Sequence, residues 1–151
     1  MIHRSSVMGL FKHILVPTDF GEPSHRALEL ALELAGTHGA DLTVMHACEI
    51  PVYPYEGMGA LPIDLLTPLE ELARKKLDEL VSSLSQRGRS SKSVLKVGIP
   101  WQEILEVVKE TQADLVVMGT HGRRGVTHAL LGSVAEKLVR MSPVPVLTVR
   151  A

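Results

Sequence analysis

Short apolar runs alternate with longer segments of helical spacing along this chain. The apolar runs predict strands at residues 13–17, 42–45, 93–97, 115–118 and 144–149. Between these runs, apolar side chains recur every three or four positions, as they do in amphipathic helices. The helical segments cover residues 24–36, 67–88, 100–112 and 133–141. Strands separated by helices are joined by right-handed crossovers. We therefore predict a single α/β domain, with helices on both faces of a parallel sheet.

Polar residues mark the predicted helix starts. Ser24 is placed to cap the first helix, and Gly36 and Gly39 are candidates for its end. Thr67 and Ser133 are each followed three residues later by a glutamate, which is the capping-box pattern. The proline after Thr67 would then take the first helical position.

The predicted strands differ in how deeply they are expected to lie in the sheet. Residues 115–118 are apolar on both faces, which is typical of a central strand. Lys96 interrupts the apolar pattern of residues 93–97, which favours a place near an edge. Residues 49–66 are rich in proline and glycine and are predicted to form a long loop.

Two polar or flexible segments directly follow predicted strands. Residues 17–19 follow the first strand, and residues 119–133 follow the fourth. In open parallel sheets, ligands bind beyond the carboxyl ends of the strands, where the strand order reverses. If the first and fourth strands are neighbours at that reversal, both segments face one crevice.

The segment after the fourth strand contains a glycine motif. Gly119-Thr-His-Gly122 is followed by nine residues and then by Gly132-Ser133, where a helix is predicted to begin. Glycine allows close backbone approach and positive φ, and the first amides of a helix lack intrahelical acceptors. Together with the partial positive charge of a helix N-terminus, this predicts a phosphate-binding loop. The alternative is structural: the glycines shape the loop, and Ser133 caps the helix without any ligand.

Composition and charge argue against several classes of function. Of 151 residues, only 3% are aromatic, and the net charge is −1, so neither nucleic-acid nor membrane binding is expected. The single cysteine, Cys48, excludes a disulfide within the chain and fits a cytoplasmic protein. No apolar run approaches the roughly 20 residues of a membrane span. Residues 1–10 are polar and basic and are expected to form a flexible N-terminal arm.

These features resemble the universal stress protein family, in its ATP-binding branch. The family signature is Gly, two residues, Gly, nine residues and then Gly-Ser or Gly-Thr, and this chain matches it throughout. Four further segments are similar to the first strand with its acidic end, the second strand, the turn into the third helix, and the terminal strand. These segments are residues 12–19, 44–47, 97–100 and 142–149. The resemblance covers a domain at residues 11–151.

The resemblance implies a fold, a ligand and an assembly. The fold is Rossmann-like with a five-stranded parallel sheet, the ligand is ATP, with Mg²⁺ or Mn²⁺ as a candidate companion of the phosphates, and the role is regulatory in the stress response. A homodimer through the last strand is also implied. Residues 144–149 carry no charge, which suits an edge that pairs with a second copy, although an ordinary buried strand is the alternative.

The resemblance also assigns candidate nucleotide contacts. Asp19 matches an aspartate on the ribose side, although a purely structural turn is the alternative. Ala47 matches a position whose backbone reads the adenine edge, where the family usually has a larger valine. Arg123 either adds charge for the phosphates or is only solvated. The full set is Pro17, Thr18, Asp19, Ala47, Met118, Gly119, Gly122, Arg123, Gly132, Ser133 and Val134.

Sequence patterns of phosphoryl-transfer enzymes help to decide whether the protein only binds a nucleotide or also hydrolyses it. The chain has no P-loop sequence and no kinase catalytic-loop pattern. No acidic residue lies between Gly119 and Ser133, whereas phosphoryl transfer needs carboxylates that hold a metal. We therefore expect a nucleotide-binding regulatory protein. The alternatives are a slow ATP hydrolase or phosphotransferase, and a dimeric scaffold that binds no nucleotide.

Overall fold

The computed structural model describes residues 9–49, 66–121 and 131–150, and these form alternating strands and helices. The strands are β1 (His13–Pro17), β2 (Asp41–Cys48), β3 (Lys92–Val97), β4 (Leu115–Gly119) and β5 (Val146–Val149). The helices are α1 (Glu22–His38), α2 (Leu66–Gln86), α3 (Pro100–Thr111) and α4 (Ser133–Met141). The predicted arm falls largely outside the described residues, as do most of the 49–66 loop and the contacts Gly122 and Arg123.

The five strands form one parallel sheet in the order β3-β2-β1-β4-β5. The chain builds outward from β1 to β3, then returns to the other side of β1 and builds outward again through β4 to β5. The strand order therefore reverses between β1 and β4. The predicted α/β fold is confirmed, and β1 and β4 are the neighbours that the predicted crevice requires.

Helices cover both faces of the sheet. Successive strand residues point to opposite faces, so each strand contributes side chains to a core on either side. On one face, Ile14 and Val16 pack with the buried sides of α1 and α2 in what we call the first core. On the other face, Leu15 packs with α3 and α4 in the second core, which also holds Met45 and Met118. None of the described helices is both long enough and apolar enough to cross a membrane.

The position of β3 follows from its sequence. It lies at one edge of the sheet, as Lys96 predicts. The Lys96 ammonium pairs with the Glu110 carboxylate of α3 at 2.8 Å, and this partner raises the pKa of the lysine. A charged side chain on an edge strand opposes pairing with another chain.

The helix starts differ from the sequence prediction. Helix α1 begins at Glu22, two residues before Ser24, and has Gly21 as its N-cap. It ends at His38, beyond Gly36, with Gly39 as its left-handed C-cap. Helix α2 already includes Leu66, so Thr67 lies within it. Pro23 explains the early start of α1, because its ring fixes φ at a helical value and its missing N–H costs nothing in the first turn.

The capping box predicted at Ser133 is wrong. Gly132 is the N-cap of α4, no side chain caps this helix, and Ser133 is its first helical residue. The Glu136 carboxylate instead pairs with Arg140 one turn later, at 2.6 Å.

Candidate functional site

The carboxyl ends of β1 and β4 lie side by side. Ile14 and Leu15 pair with Leu115 and Val116, so the two strands run in register toward the same edge of the sheet. β1 ends at Pro17 and β4 ends at Gly119, and the chain leaves the sheet after each. The two segments that the sequence singled out therefore leave the sheet at adjacent positions.

Asp19 lies in a tight turn between β1 and α1. Its Oδ1 atom accepts hydrogen bonds from the Gly21 amide at 2.8 Å and from the Ser24 hydroxyl at 2.7 Å. The Ser24 hydroxyl in turn accepts a bond from the Asp19 amide at 3.3 Å. Within the described residues, no hydrogen bond reaches the second carboxylate oxygen, Oδ2. One carboxylate oxygen of Asp19 thus shapes the turn.

Pro17 and Thr18 hold the base of this turn in the protein interior. Both residues are buried, and Pro17 pairs with Met45 on β2. The Thr18 amide continues the strand pairing by donating to the Met45 carbonyl at 2.8 Å. The turn therefore starts from a rigid point on the central strands.

Gly119 is required by close packing against the start of α1. A Cβ atom at this position would lie 2.7 Å from the Pro23 Cβ, 2.9 Å from the Pro23 carbonyl carbon and 3.0 Å from the Ser24 amide nitrogen. Real Cβ contacts are longer than this, so a side chain here would push α1 away from β4. The Asp19 turn, which is bonded to Ser24, thereby stays close to the end of β4.

Gly132 brings the start of α4 onto the end of β4. Its amide donates to the Thr120 carbonyl at 2.6 Å, and an added Cβ would lie 2.9 Å from the same oxygen. Its φ is −62°, and Gly119 is not among the glycines with positive φ. At these two positions the motif glycines serve close approach, and the expectation of positive φ is wrong.

The first turn of α4 presents amides toward this junction. No side chain caps the helix. The amides of Ser133 and Val134 find no hydrogen-bond acceptor within the described residues, as is usual for the first turn of an uncapped helix. Such amides carry partial positive charge and favour an anion.

Two further predicted contacts, Ala47 and Met118, lie near the ends of β2 and β4, the two strands on either side of β1. Ala47 lies near the end of β2, is half-buried and packs against the second core. Met118 precedes Gly119 on β4, and its side chain is buried in that core.

Two residues of this region, His46 and Phe20, were not predicted as site residues. His46, beside Ala47 on β2, bonds through Nδ1 to the Thr18 carbonyl at 2.7 Å. Phe20 follows Asp19 with φ at +64°, and its ring lies 4.7 Å from the imidazole of His46. These contacts join residues far apart in the chain, so no local sequence pattern indicates them.

Neither an activated thiol nor a metal-binding cluster is found among the described residues. Burial, reinforced by the nearby Glu70 carboxylate, raises the pKa of the Cys48 thiol, so the thiol stays protonated near neutral pH. Among the residues that the structure describes, no three His, Cys, Asp or Glu side chains are grouped so that they could hold a metal ion.

Comparisons with known proteins agree with this architecture. The model of the universal stress protein family matches residues 10–150. A universal stress protein of Methanocaldococcus jannaschii is 32% identical over 144 residues, which cover 93% of this chain and 83% of that protein. A universal stress protein of Thermus aquaticus is 36% identical over 141 residues, which cover 93% of this chain and 100% of that protein.

Solved structures are similar over nearly the whole chain. The structure of a second M. jannaschii universal stress protein has a TM-score of 0.76 at 27% identity and covers 93% of this chain and 96% of its own. A universal stress protein solved in complex with cAMP has a TM-score of 0.66 at 25% identity and covers 92% of this chain and 97% of its own.

Proposed function

Because this chain belongs to the universal stress protein family, we propose that it binds ATP between the ends of β1 and β4 and acts as a regulatory protein in the stress response. The uncapped start of α4 is the observation on which this proposal depends most. The bond from Gly132 to Thr120 holds that helix end against the end of β4, where Gly119 packs on Pro23 and Ser24 next to the Asp19 turn. An anion-binding helix end next to a free carboxylate oxygen suits a nucleotide, which has phosphates at one end and ribose hydroxyls at the other.

Each predicted contact has a role in this proposal. The amides of Ser133 and Val134 bind phosphate oxygens, and Gly132 allows the close approach of this segment to Thr120. Oδ2 of Asp19 accepts hydrogen bonds from the ribose hydroxyls. The backbone of Ala47 reads the adenine edge, and its small side chain leaves the base less tightly packed than a valine would.

The remaining contacts complete the pocket. Pro17 and Thr18 line the adenine side, and the Met118–Gly119 backbone lies beside the ribose. Gly122 and Arg123, which lie outside the described residues, remain predicted phosphate contacts.

The cAMP complex of a relative supports an adenine nucleotide as the ligand class. We propose ATP rather than a monophosphate because the glycine motif predicts several phosphate contacts, at Gly122 and Arg123 as well as at the Ser133 and Val134 amides of α4. Mg²⁺ or Mn²⁺ would be held mainly by phosphate oxygens and water. Among the described residues near the proposed phosphates, the Asp19 carboxylate is the one acidic ligand.

We also propose a cytoplasmic homodimer joined through β5. This strand lies at an edge of the sheet, and Leu147 is 38% exposed on it. Helix α4, which covers the other face of the sheet, also has two apolar side chains that are about half exposed, Val139 and Met141. Leu147→Lys should therefore shift the protein to a monomer in sedimentation velocity, whereas Ile99→Lys, at an exposed position near the opposite edge of the sheet, should not. A wild-type protein that sediments as a monomer at micromolar concentration would exclude the dimer.

The nucleotide itself is tested on the freshly purified protein. Mass spectrometry of small molecules released by denaturation should detect ATP, and titration calorimetry of nucleotide-free protein should give one ATP per chain. Phosphate release measured on the same sample tests the slow-hydrolase alternative. If no nucleotide is released and no heat of ATP binding is measured, the proposal is wrong and the scaffold alternative gains support.

A further inference from the structure

His46 connects the strand on the base side of the proposed site to the turn on its ribose side. Its imidazole Nδ1 lies 2.7 Å from the Thr18 carbonyl oxygen. A carbonyl oxygen only accepts hydrogen bonds, so the imidazole carries a proton on Nδ1 and donates it to Thr18. The neighbouring residue on β2, Met45, accepts the Thr18 amide at 2.8 Å. Two adjacent residues of β2 therefore fix the peptide groups on both sides of Thr18.

The turn beyond Thr18 is conformationally demanding. Phe20 has φ at +64°, a left-handed value that a bulky residue adopts only when its surroundings hold it there. Its ring packs on the His46 imidazole with the planes inclined by 42°, and the Lys76 ammonium of α2 lies 5.6 Å from the ring centroid. The Phe20 amide is bonded to the Thr18 hydroxyl at 3.0 Å. His46 thus touches both the residue before Asp19 and the residue after it.

We infer that His46 is a positioning residue of the nucleotide site: it holds the turn at residues 18–21 and thereby directs Oδ2 of Asp19 toward the ribose. This inference rests on the proposed function, because it assigns His46 a role at the same site. The role inferred for His46 requires no contact between its side chain and the nucleotide. It acts through Asp19, so its loss should weaken recognition of the ribose hydroxyls more than recognition of the phosphates.

Three substitutions separate the contributions of the imidazole. His46→Asn keeps a donor near the Nδ1 position but removes the ring beside Phe20. His46→Phe keeps an aromatic ring but removes the donor. His46→Gln moves the amide donor toward the Nε2 position, and it replaces His46→Phe should that variant fail to fold. If the inference is correct, the hydrogen bond donated to the Thr18 carbonyl is the feature of His46 that nucleotide binding requires.

The first measurement is the affinity for ATP and for 2′,3′-dideoxy-ATP, which lacks both ribose hydroxyls. His46→Phe should weaken ATP binding about tenfold, the value of one hydrogen bond, and leave the dideoxy analogue nearly unchanged. His46→Asn should stay within about threefold of wild type for both ligands. Adding Asp19→Asn to His46→Phe should cause little further loss, because the two residues act as one unit. Equal weakening of both ligands by His46→Phe would overturn the inference.

The second measurement does not require a ligand, which keeps the inference separable from the proposed function. Amide hydrogen exchange at Phe20 and Gly21 should be faster in His46→Phe than in wild type, and near wild type in His46→Asn. If wild type binds no ATP, the proposed function fails while faster exchange still supports the positioning of the turn. Unchanged exchange in both His46→Phe and His46→Gln would show that His46 does not hold the turn.

Discussion

The Ser24 hydroxyl donates a 2.7 Å hydrogen bond to Oδ1 of Asp19 and accepts one from the Asp19 amide. Ser24 belongs to the first turn of α1, and its own amide nitrogen lies 3.0 Å from where a Cβ of Gly119 would be. One residue therefore links the acidic turn after β1 to the end of β4. The two halves of the proposed site are held together by packing and hydrogen bonds of the protein itself, before any ligand binds.

Removing the Ser24 hydroxyl should affect both folding and binding. Ser24→Ala leaves the part-buried Asp19 amide without its partner and leaves Asp19 Oδ1 with the Gly21 amide as its remaining donor, so unfolding in urea should show a loss of about 1 kcal/mol. ATP binding should weaken as well, but less than in Asp19→Ala, because the carboxylate is still present. Ser83→Ala on the exposed side of α2 is the matched control and should change stability by less than about 0.5 kcal/mol. Equal stabilities of the Ser24 and Ser83 variants would contradict the role of this hydroxyl.

Two glycine substitutions should change stability in opposite directions. Gly119→Ala places a methyl group 2.7 Å from Pro23 and 2.9 Å from its backbone, and overpacking of this kind costs about 1–3 kcal/mol. Gly36→Ala lies in an exposed part of α1 and meets only the flexible end of the Arg89 side chain, at 2.9 Å. Alanine favours the helix by about 0.5–1 kcal/mol over glycine there, so this variant should be more stable. Denaturant unfolding of both proteins checks the two signs.

The sequence predicted those parts of the fold that depend on local patterns. The bounds of β1 are correct because an uninterrupted apolar run ends at a proline, and β3 lies at an edge as its lysine indicates. The parallel sheet follows from the alternation of strands and helices, and it has β1 and β4 as the neighbours that the proposed site requires. These features need no knowledge of contacts between distant residues.

The details that failed depend on tertiary contacts. Ser24 has the right residue type for an N-cap, but its hydroxyl is used by Asp19, which comes earlier in the chain. Ser133 was misassigned by one position because Gly132 is tied to Thr120 and itself forms the cap. The contact of His46 with Thr18 spans 28 residues, and neither residue indicates the other in the sequence.

The Cys48 thiol should react slowly with alkylating agents while the protein is folded. Burial raises its pKa in the folded protein above the ordinary value for a thiol. Alkylation by iodoacetamide at pH 7 should therefore be at least about tenfold slower in folded than in urea-unfolded protein.

The same shift makes folding stability depend on pH. The folded state keeps the proton to higher pH than the unfolded state, so this contribution is complete below the ordinary thiol pKa and is lost as the pH rises through the folded value. Cys48→Ala should lack that part of the decline when unfolding is followed from neutral to alkaline pH. A decline of the same size in both proteins would assign it to other groups.

The role of the α4 amides can be tested by removing a single N–H. Ser133 is the first residue of α4, a position where proline is well tolerated, and the preceding Gly132 has the extended backbone, ψ 162°, that a following proline favours. Ser133→Pro should therefore fold with nearly wild-type stability but lose one amide donor to phosphate, which weakens ATP binding by about 1–3 kcal/mol. Ser133→Ala keeps that amide and should retain most of the affinity. Calorimetric titration with ATP, beside urea unfolding of each variant, separates binding from folding. If Ser133→Pro binds ATP as tightly as Ser133→Ala, the amide of this residue does not contact the phosphates.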